Sequence, residues 1–507
     1  MKKFLALLPI LGLIFISCEE DDPSLLDTGT DMEEPITVTS GSANFANYVS
    51  LGNSLTAGFS DAALFIDGQN ASFPNMLAGQ FALAGGGAFN QPLMADNLGG
   101  LTLGGNPITG NRLILSFASG SPTPVPVAGQ GSTEVSSVLS GSFNNMGVPG
   151  AKSYHLLAPG YGNVAGVAAG LANPYYARFA SSPTATVLGD AAAQNASFFT
   201  LWIGNNDVLG YVTSGGAGVD QAGNLDPSTY GGSDISDPNV VAGSIQGILD
   251  TMTAGGAGGA IANLPSVTAI PFLTTVPYNP VPLDAATAAL LNGAYAEYNQ
   301  AMLAFSTSLN PLGMPLITPE EAQRRQISFS AGDTNPVVLL DEDLTDLSGV
   351  SPALINMRQS TAEDLIVLTA SSFIGTLANP ADPTSINGVA VPLADNWVLT
   401  PEEQATANAA LQAYNQVIAQ FATAYDLAFV DTNSFFAEFN VTGFPLADGS
   451  TVTSTFGTGG GFSLDGVHPS PRGYAIIANL FAEAINAKYG STLPGVNPLD
   501  YTGLYIN

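Results

Sequence analysis

Val49-Ser50-Leu51-Gly52-Asn53-Ser54-Leu55-Thr56-Ala57-Gly58 lies near the start of the folded part of the chain. Tyr48 to Leu51 reads as a short buried strand, and Gly52 permits a sharp turn after it. Ser54 then stands at the carboxyl end of that strand, with its own N–H in a helix-start environment that favours negative charge. A serine in this position is either a nucleophile or an ordinary helix cap. The Gly-x-Ser-x-Gly elbow is absent from the chain.

Further apolar runs repeat the strand signal. Ser142 to Val148 precedes Pro149-Gly150, Phe198 to Ile203 ends at Gly204, and Leu427 to Val430 ends at Asp431. Val267 to Val276, interrupted by Pro271, is expected as a fourth strand of this kind. Continuous rather than alternating runs suit a parallel sheet covered on both faces. Helices are predicted between them. Leu291, Tyr295, Tyr298, Met302 and Phe305 step at helical spacing, as do Leu411, Tyr414, Ile418 and Phe421. Thr400-Pro401-Glu402-Glu403 reads as a capping box, and Thr318-Pro319-Glu320-Glu321 repeats it. Both long helices carry Tyr-Asn-Gln (298–300 and 414–416). A final helix begins after Ser470 and stops at Gly490. Strands alternating with helices define an α/β layered domain, whose function gathers at the carboxyl ends of the strands.

Histidine narrows the chemistry, because the chain has two: His155 and His468. An imidazole base near neutral pH must be one of them. His468 follows Asp465 by three residues in Asp465-Gly466-Val467-His468. That spacing lets the carboxylate accept from one ring nitrogen and leave the other facing a substrate. His155, five residues past Gly150, reads as structural or cleft-lining.

In this order the blocks resemble those of the SGNH (GDSL-like) hydrolases. Gly52-Asn53-Ser54-Leu55 is similar to the opening GDSL block, and Asn144 to Gly150 to the second. Gly204-Asn205-Asn206-Asp207 is similar to the Gly-x-Asn-Asp block, and Asp465 to His468 to the closing Asp-x-x-His. The resemblance implies a three-layer α/β/α sandwich with a central parallel sheet, flavodoxin-like, with long insertions. It implies a serine ester hydrolase: Ser54 as nucleophile, His468 as base, Asp465 as its orienting carboxylate. The Ser54 N–H, the Gly150 N–H and the Asn206 amide would form the oxyanion hole, with Gly147 serving the turn. No cofactor and no metal are implied. One departure is Asn53, where the family has Asp. The other is length: residues 59–141, 208–262 and 307–398 are expected as insertions within a hydrolase domain spanning 44–490, followed by a tail, 491–507.

Composition bounds the setting. Ten Lys and Arg stand against forty-one Asp and Glu, a net charge of −31. Such a surface repels nucleic acid and anionic headgroups. Lys2 and Lys3 followed by an apolar run to Ile16 read as a signal peptide over 1–17. Cys18, the only cysteine, stands at its end and resembles the acylated residue of a bacterial lipobox. Residues 18–43, opening with Glu19-Glu20-Asp21-Asp22, are expected as an acidic linker behind a lipid anchor. These features suggest a lipoprotein of the outer membrane or cell surface of a Gram-negative bacterium. The expected substrate is a lipid or acyl ester. A polysaccharide O-acetyl esterase and a non-catalytic surface binding lipoprotein are the alternatives. Asp341-Glu342-Asp343 with Asp346 is expected as a solvated acidic turn, calcium binding being the other reading.

Overall fold

In the computed structural model five short strands form one parallel sheet: β1 (Tyr48–Gly52), β2 (Asn145–Gly147), β3 (Phe198–Trp202), β4 (Gly258–Ala262) and β5 (Ala428–Val430). Their spatial order is 2-1-3-4-5, and every adjacent pair runs parallel. The chain leaves β1 toward β2 on one side and resumes at β3 on the other. That switch opens a crevice at the carboxyl ends of β1 and β3. The structure describes residues 37–118, 120, 122–309 and 315–506. The segment expected as a signal peptide, Cys18 and most of the expected acidic linker lie outside the described residues.

The principal helices are α1 (Ser54–Ala57), α2 (Phe73–Leu83), α3 (Asn206–Thr213), α4 (Pro238–Thr253), α5 (Ala285–Phe305), α6 (Pro401–Ala424), α7 (Thr432–Thr442) and α8 (Pro471–Tyr489). On one face of the sheet α2 packs on α8, with Phe73 stacked on Phe481 at 4.6 Å. On the other face α6 packs on α3 and α4. The sheet between them is almost wholly buried, giving the three-layer α/β/α architecture. The helix ends follow their sequence signals. Thr400 and Glu403 form the capping box of α6, Ser470 caps α8, and Gly490 closes it in the left-handed region at φ +66°. At Thr318 the hydroxyl caps Glu321 N–H, but Glu321 turns its carboxylate to Arg325 instead of closing a box.

Two sequence expectations are corrected. Val267 to Val276 is not a strand: it is a loop with a single helical turn at Pro271–Thr274. The fourth strand lies earlier, at Gly258-Gly259-Ala260-Ile261-Ala262, within the glycine-rich run that begins at Gly255. A Cβ on Gly259 would lie 2.7 Å from the Phe199 ring, so the aromatic packing of the neighbouring strand excludes a side chain there. It follows that 208–262 is not an insertion. It supplies most of α3, all of α4, and β4 itself. Of the other two long segments, 59–141 supplies α2, and both carry small sheets of two or three short strands outside the parallel sheet. Thr39 and Ser42, assigned to the linker, already hydrogen-bond Thr492 and Tyr489 beside the end of α8.

Candidate active site

The sheet register sets the site. Gly52 pairs with Gly147 on one side and with Trp202 on the other. Ser54, Gly150 and Asn206 follow those three residues by two, three and four positions, so they leave the sheet side by side. Gly52 and Gly147 act by close approach rather than by turning. A Cβ on Gly52 would lie 2.1 Å from Thr56 Oγ1, and one on Gly147 would lie 2.3 Å from Ala57 N. Glycine at both positions lets α1 settle onto the strand ends. Gly147 therefore belongs to β2 and not to the turn.

Asn53 caps α1, its Oδ1 accepting Leu55 N–H at 3.0 Å while its Nδ2 donates to Asn205 Oδ1 at 3.2 Å. The residue that departs from the family pattern thus ties the first block to the third. Ser54 is the first residue of α1, so its N–H has no intrahelical acceptor.

His468 reaches Ser54 from the loop before α8. Its Nε2 lies 2.9 Å from Ser54 Oγ and its Nδ1 lies 2.9 Å from Asp465 Oδ2. Asp465 is held by more than the histidine. Its Oδ1 accepts the N–H groups of Val467 and His468, each at 2.8 Å, and the Ser463 hydroxyl at 3.0 Å. Ala62 N–H donates to its Oδ2 at 3.0 Å. Burial alone would push the Asp465 carboxyl up, but His468 and the N–H donors outweigh it and hold the group at about 2. With Asp465 ionised and accepting from Nδ1–H, Nε2 is left to accept the Ser54 proton.

Residues with no motif signal complete this arrangement. Asp61 and Ala62 both lie in the left-handed region, at φ 52° and 63°, where side-chain-bearing residues are uncommon. This strained turn presents Ala62 N–H to Asp465. Asp61 N–H donates to Ser463 Oγ, and its Oδ1 accepts Leu464 N–H. Burial, added to the nearby Asp465 charge, pushes the Asp61 carboxyl up to about 6. Of the two neighbouring carboxyls, Asp465 therefore carries the more persistent charge.

On the opposite side, Asn206 opens α3, and its Nδ2 donates to the Ala151 carbonyl at 2.9 Å. Asp207 is fully buried and accepts both the N–H and the hydroxyl of Ser153, at 2.7 and 2.9 Å. These two clasps fasten the Gly150 loop to the start of α3. Gly150 lies at φ +80°, and its N–H has no acceptor among the described residues. The second hydrogen of the Asn206 amide and the N–H groups of Ser54 and Gly150 are thus uncommitted, as an oxyanion site requires.

Between these walls lies a cleft of about 620 Å³ including its mouth. Trp202, Leu55, Val267, Ile270, Phe436 and Phe462 line it. Ser54, Asn206 and His468 supply its polar end, and among the described residues no Asp, Glu, Lys or Arg lines it. The segment expected as a fourth strand is therefore a cleft wall. Asn415 of α6 steadies the start of this wall by pairing with both the N–H and the carbonyl of Leu264. His155 lies elsewhere, stacked on Tyr161 at 4.5 Å.

A sheet of order 2-1-3-4-5 with a serine, a histidine and a carboxylate in line at its switch point defines a hydrolase of the α/β/α class. The family model described as GDSL-like Lipase/Acylhydrolase matches residues 347–481, so this part of the chain is similar to the SGNH, GDSL-like ester hydrolases. The matched segment holds Asp465 and His468; Ser54, Gly150 and Asn206 lie outside it and join it through the geometry above. Comparison with curated proteins and with solved structures finds no match.

Proposed function

We propose that the protein cleaves carboxylic esters carrying an apolar acyl chain, with Ser54 as nucleophile. The observation that carries this reading is the unbroken chain from Ser54 Oγ through His468 to Asp465, two contacts of 2.9 Å each, at the polar end of an uncharged apolar cleft. Ser54 Oγ attacks the ester carbonyl carbon while His468 Nε2 takes its proton. The oxyanion is held by the N–H groups of Ser54 and Gly150 and by the Asn206 amide. The tetrahedral intermediate collapses, the C–O bond to the alcohol breaks, and His468 returns the proton to the leaving oxygen. Water then attacks the acyl-Ser54 ester by the same route in reverse. Asp465 stays ionised throughout and stabilises the imidazolium.

The apolar lining favours acyl chains over the acetyl groups of a polysaccharide, whose sugar would meet no charged or densely polar wall. Rates on a chain-length series of nitrophenyl esters, measured beside acetylated xylan, test this. The reading expects the longer acyl esters to be preferred and Ser54→Ala to be inactive on all of them. Faster deacetylation of xylan would overturn the substrate class. Equal rates for Ser54→Ala and wild type would overturn the chemistry.

The setting follows from the sequence. We infer that Cys18 is acylated and that the mature protein is tethered by lipid at the outer membrane or cell surface, its acidic linker solvated. Labelled palmitate should enter the wild type and not Cys18→Ala; equal labelling would remove the anchor.

A further inference from the structure

The acidic turn that begins at Asp341 divides in two. Asp341 is buried and fully engaged: Arg358 donates to it at 2.5 Å and Arg324 at 3.1 Å. Glu342 turns the other way, toward Asp395 and Glu403. One carboxylate oxygen from each of these three lies within 4.8 Å of the others. Oxygen ligands about 2.4 Å from one calcium ion can stand at most about 4.8 Å apart, so this spacing fits a shared ion.

A cluster of acids alone would be unremarkable on so acidic a chain, but this one contains an interior carboxylate with a free oxygen. Glu403 is 4 % exposed. Its Oε2 accepts the N–H and hydroxyl of Thr400, closing the cap of α6. Its Oε1 is buried and has no hydrogen-bond partner; Asp395 Oδ1 is buried and unpartnered as well. Buried carboxylate oxygens without donors are costly. The guanidinium groups nearby are committed elsewhere, Arg324 to Asp341 and Glu402, Arg358 to Asp341 and Asp364. No described cationic side chain pairs with any of the three.

We propose that Glu342, Asp395 and Glu403 bind a hard divalent cation, calcium, which fastens the inserted arm to the core. The donors are all carboxylate oxygens, the chemistry that suits calcium rather than a soft metal. They come from separate segments: the turn after the strand Val338–Leu340, the helical turn Asp395–Trp397, and the first turn of α6. The loop closing α3 packs against them, since a Cβ on Gly216 would lie 1.7 Å from Glu403 Oε1. An ion here joins the arm, α6 and the far end of the helix that begins at Asn206.

The site is independent of the ester-hydrolase reading, and its test reads binding and stability. Chelator-treated full-length protein is titrated with CaCl2 by calorimetry, and its melting is followed in chelator and in millimolar CaCl2. Binding with a melting temperature a few degrees higher in calcium is expected. Glu342→Gln, on the exposed rim, should fold normally and bind at least tenfold more weakly. Glu403→Gln keeps an oxygen for the Thr400 cap and should lose binding likewise. The proposal is overturned by absence of calcium-dependent heat and melting shift in the wild type, or by wild-type affinity in Glu342→Gln. It is equally overturned if the Gln variants melt higher than wild type in chelator while the wild type ignores calcium, since the acids would then be sharing protons.

Discussion

The loops that carry the two histidines make opposite use of the same ring. Both lie beside the sheet's carboxyl edge, and both rings pack against an aromatic: His155 on Tyr161 at 4.5 Å, His468 beside Phe59 at 4.7 Å. They differ in the charge that faces them. His155 Nδ1 accepts the backbone N–H of Lys152. Burial, with the Lys152 charge adding to it, pushes its pKa down to about 4. That ring stays neutral and serves as a wedge. His468 instead faces an ionised carboxylate that is itself fixed by three backbone N–H groups and a hydroxyl. Proximity to a strand end does not make a histidine a base; a preorganised anion on its far nitrogen does.

The first way to break this comparison is to remove the proposed reacting pair. Ser54→Ala and His468→Ala should each lower kcat by roughly 10⁴–10⁶-fold while leaving melting nearly unchanged. Retention of more than a tenth of the activity by either variant would mean that the chain from Ser54 to His468 is not the reacting one. Asp465→Asn tests the anion itself. An amide can turn its NH₂ toward Nδ1 and reverse the tautomer, so Nε2 would no longer accept from Ser54. The expected loss is about 10⁴-fold in kcat. A loss under tenfold would show that His468 needs no anionic partner.

The next effect is smaller. Asn206→Ala removes one of the three proposed oxyanion donors and should lower kcat about 10²–10³-fold with KM little changed, because that contact is made mainly in the transition state. The substitution also breaks the bond to Ala151, so its melting curve should be recorded alongside. A loss confined to KM would assign Asn206 to ground-state binding.

How far the sequence discloses all this depends on where a residue's reason lies. Ser54, Asp465 and His468 sit in short contiguous blocks at strand ends, and they are legible because their neighbours set their geometry. The cap at Thr400 is legible for the same reason. β4 is not, because its reason lies on another strand: Phe199 demands glycine opposite, and the run Gly258-Gly259 then looks like a loop. Val267 to Ile270 is misread in the converse way, its apolar character serving the cleft wall and not a sheet. The Asp61-Ala62 turn is hidden for a third reason. Its partner Asp465 lies some 400 residues away, and its left-handed backbone is borne by residues that do not advertise it. The repeated Tyr-Asn-Gln shows the limit of local reading. In both helices the tyrosine hydroxyl binds a distant carbonyl, Met357 or Ser236, and the asparagine pairs with both backbone groups of one apolar residue, Ile327 or Leu264. The motif is the same clamp twice, yet only the copy in α6 holds the cleft wall, and nothing within the tripeptide distinguishes the two.

The smallest effect on rate tests the other half of the comparison, and its signature is in stability. His155→Gln should leave kcat within a few-fold of wild type, since this ring lies outside the cleft. Its effect should appear with pH. The unfolded chain binds a proton at His155 near its ordinary value of 6.5, whereas the folded chain binds one only near about 4. Between those values the unfolded state holds more protons, so acid favours unfolding. The stability that the neutral ring contributes is fully present above 6.5 and is lost as pH falls toward 4, a change of roughly 3 kcal/mol at most. Glutamine has nothing to protonate, so the melting temperature of His155→Gln should fall less steeply than that of wild type from pH 6.5 to 4, with the curves parallel above 7. Asp465 cannot produce this difference, since its carboxyl, held at about 2, loses its contribution only as pH falls below the ordinary aspartate value. Asp61, pushed up to about 6, acts with the opposite sign: the folded state holds its proton more tightly, so acid favours folding there. Both groups are present in both proteins, so a steeper wild-type curve belongs to His155 alone. Parallel curves across the whole range would mean that this ring ionises as readily folded as unfolded, and the contrast between the two loops would then rest on the Asp465 side only.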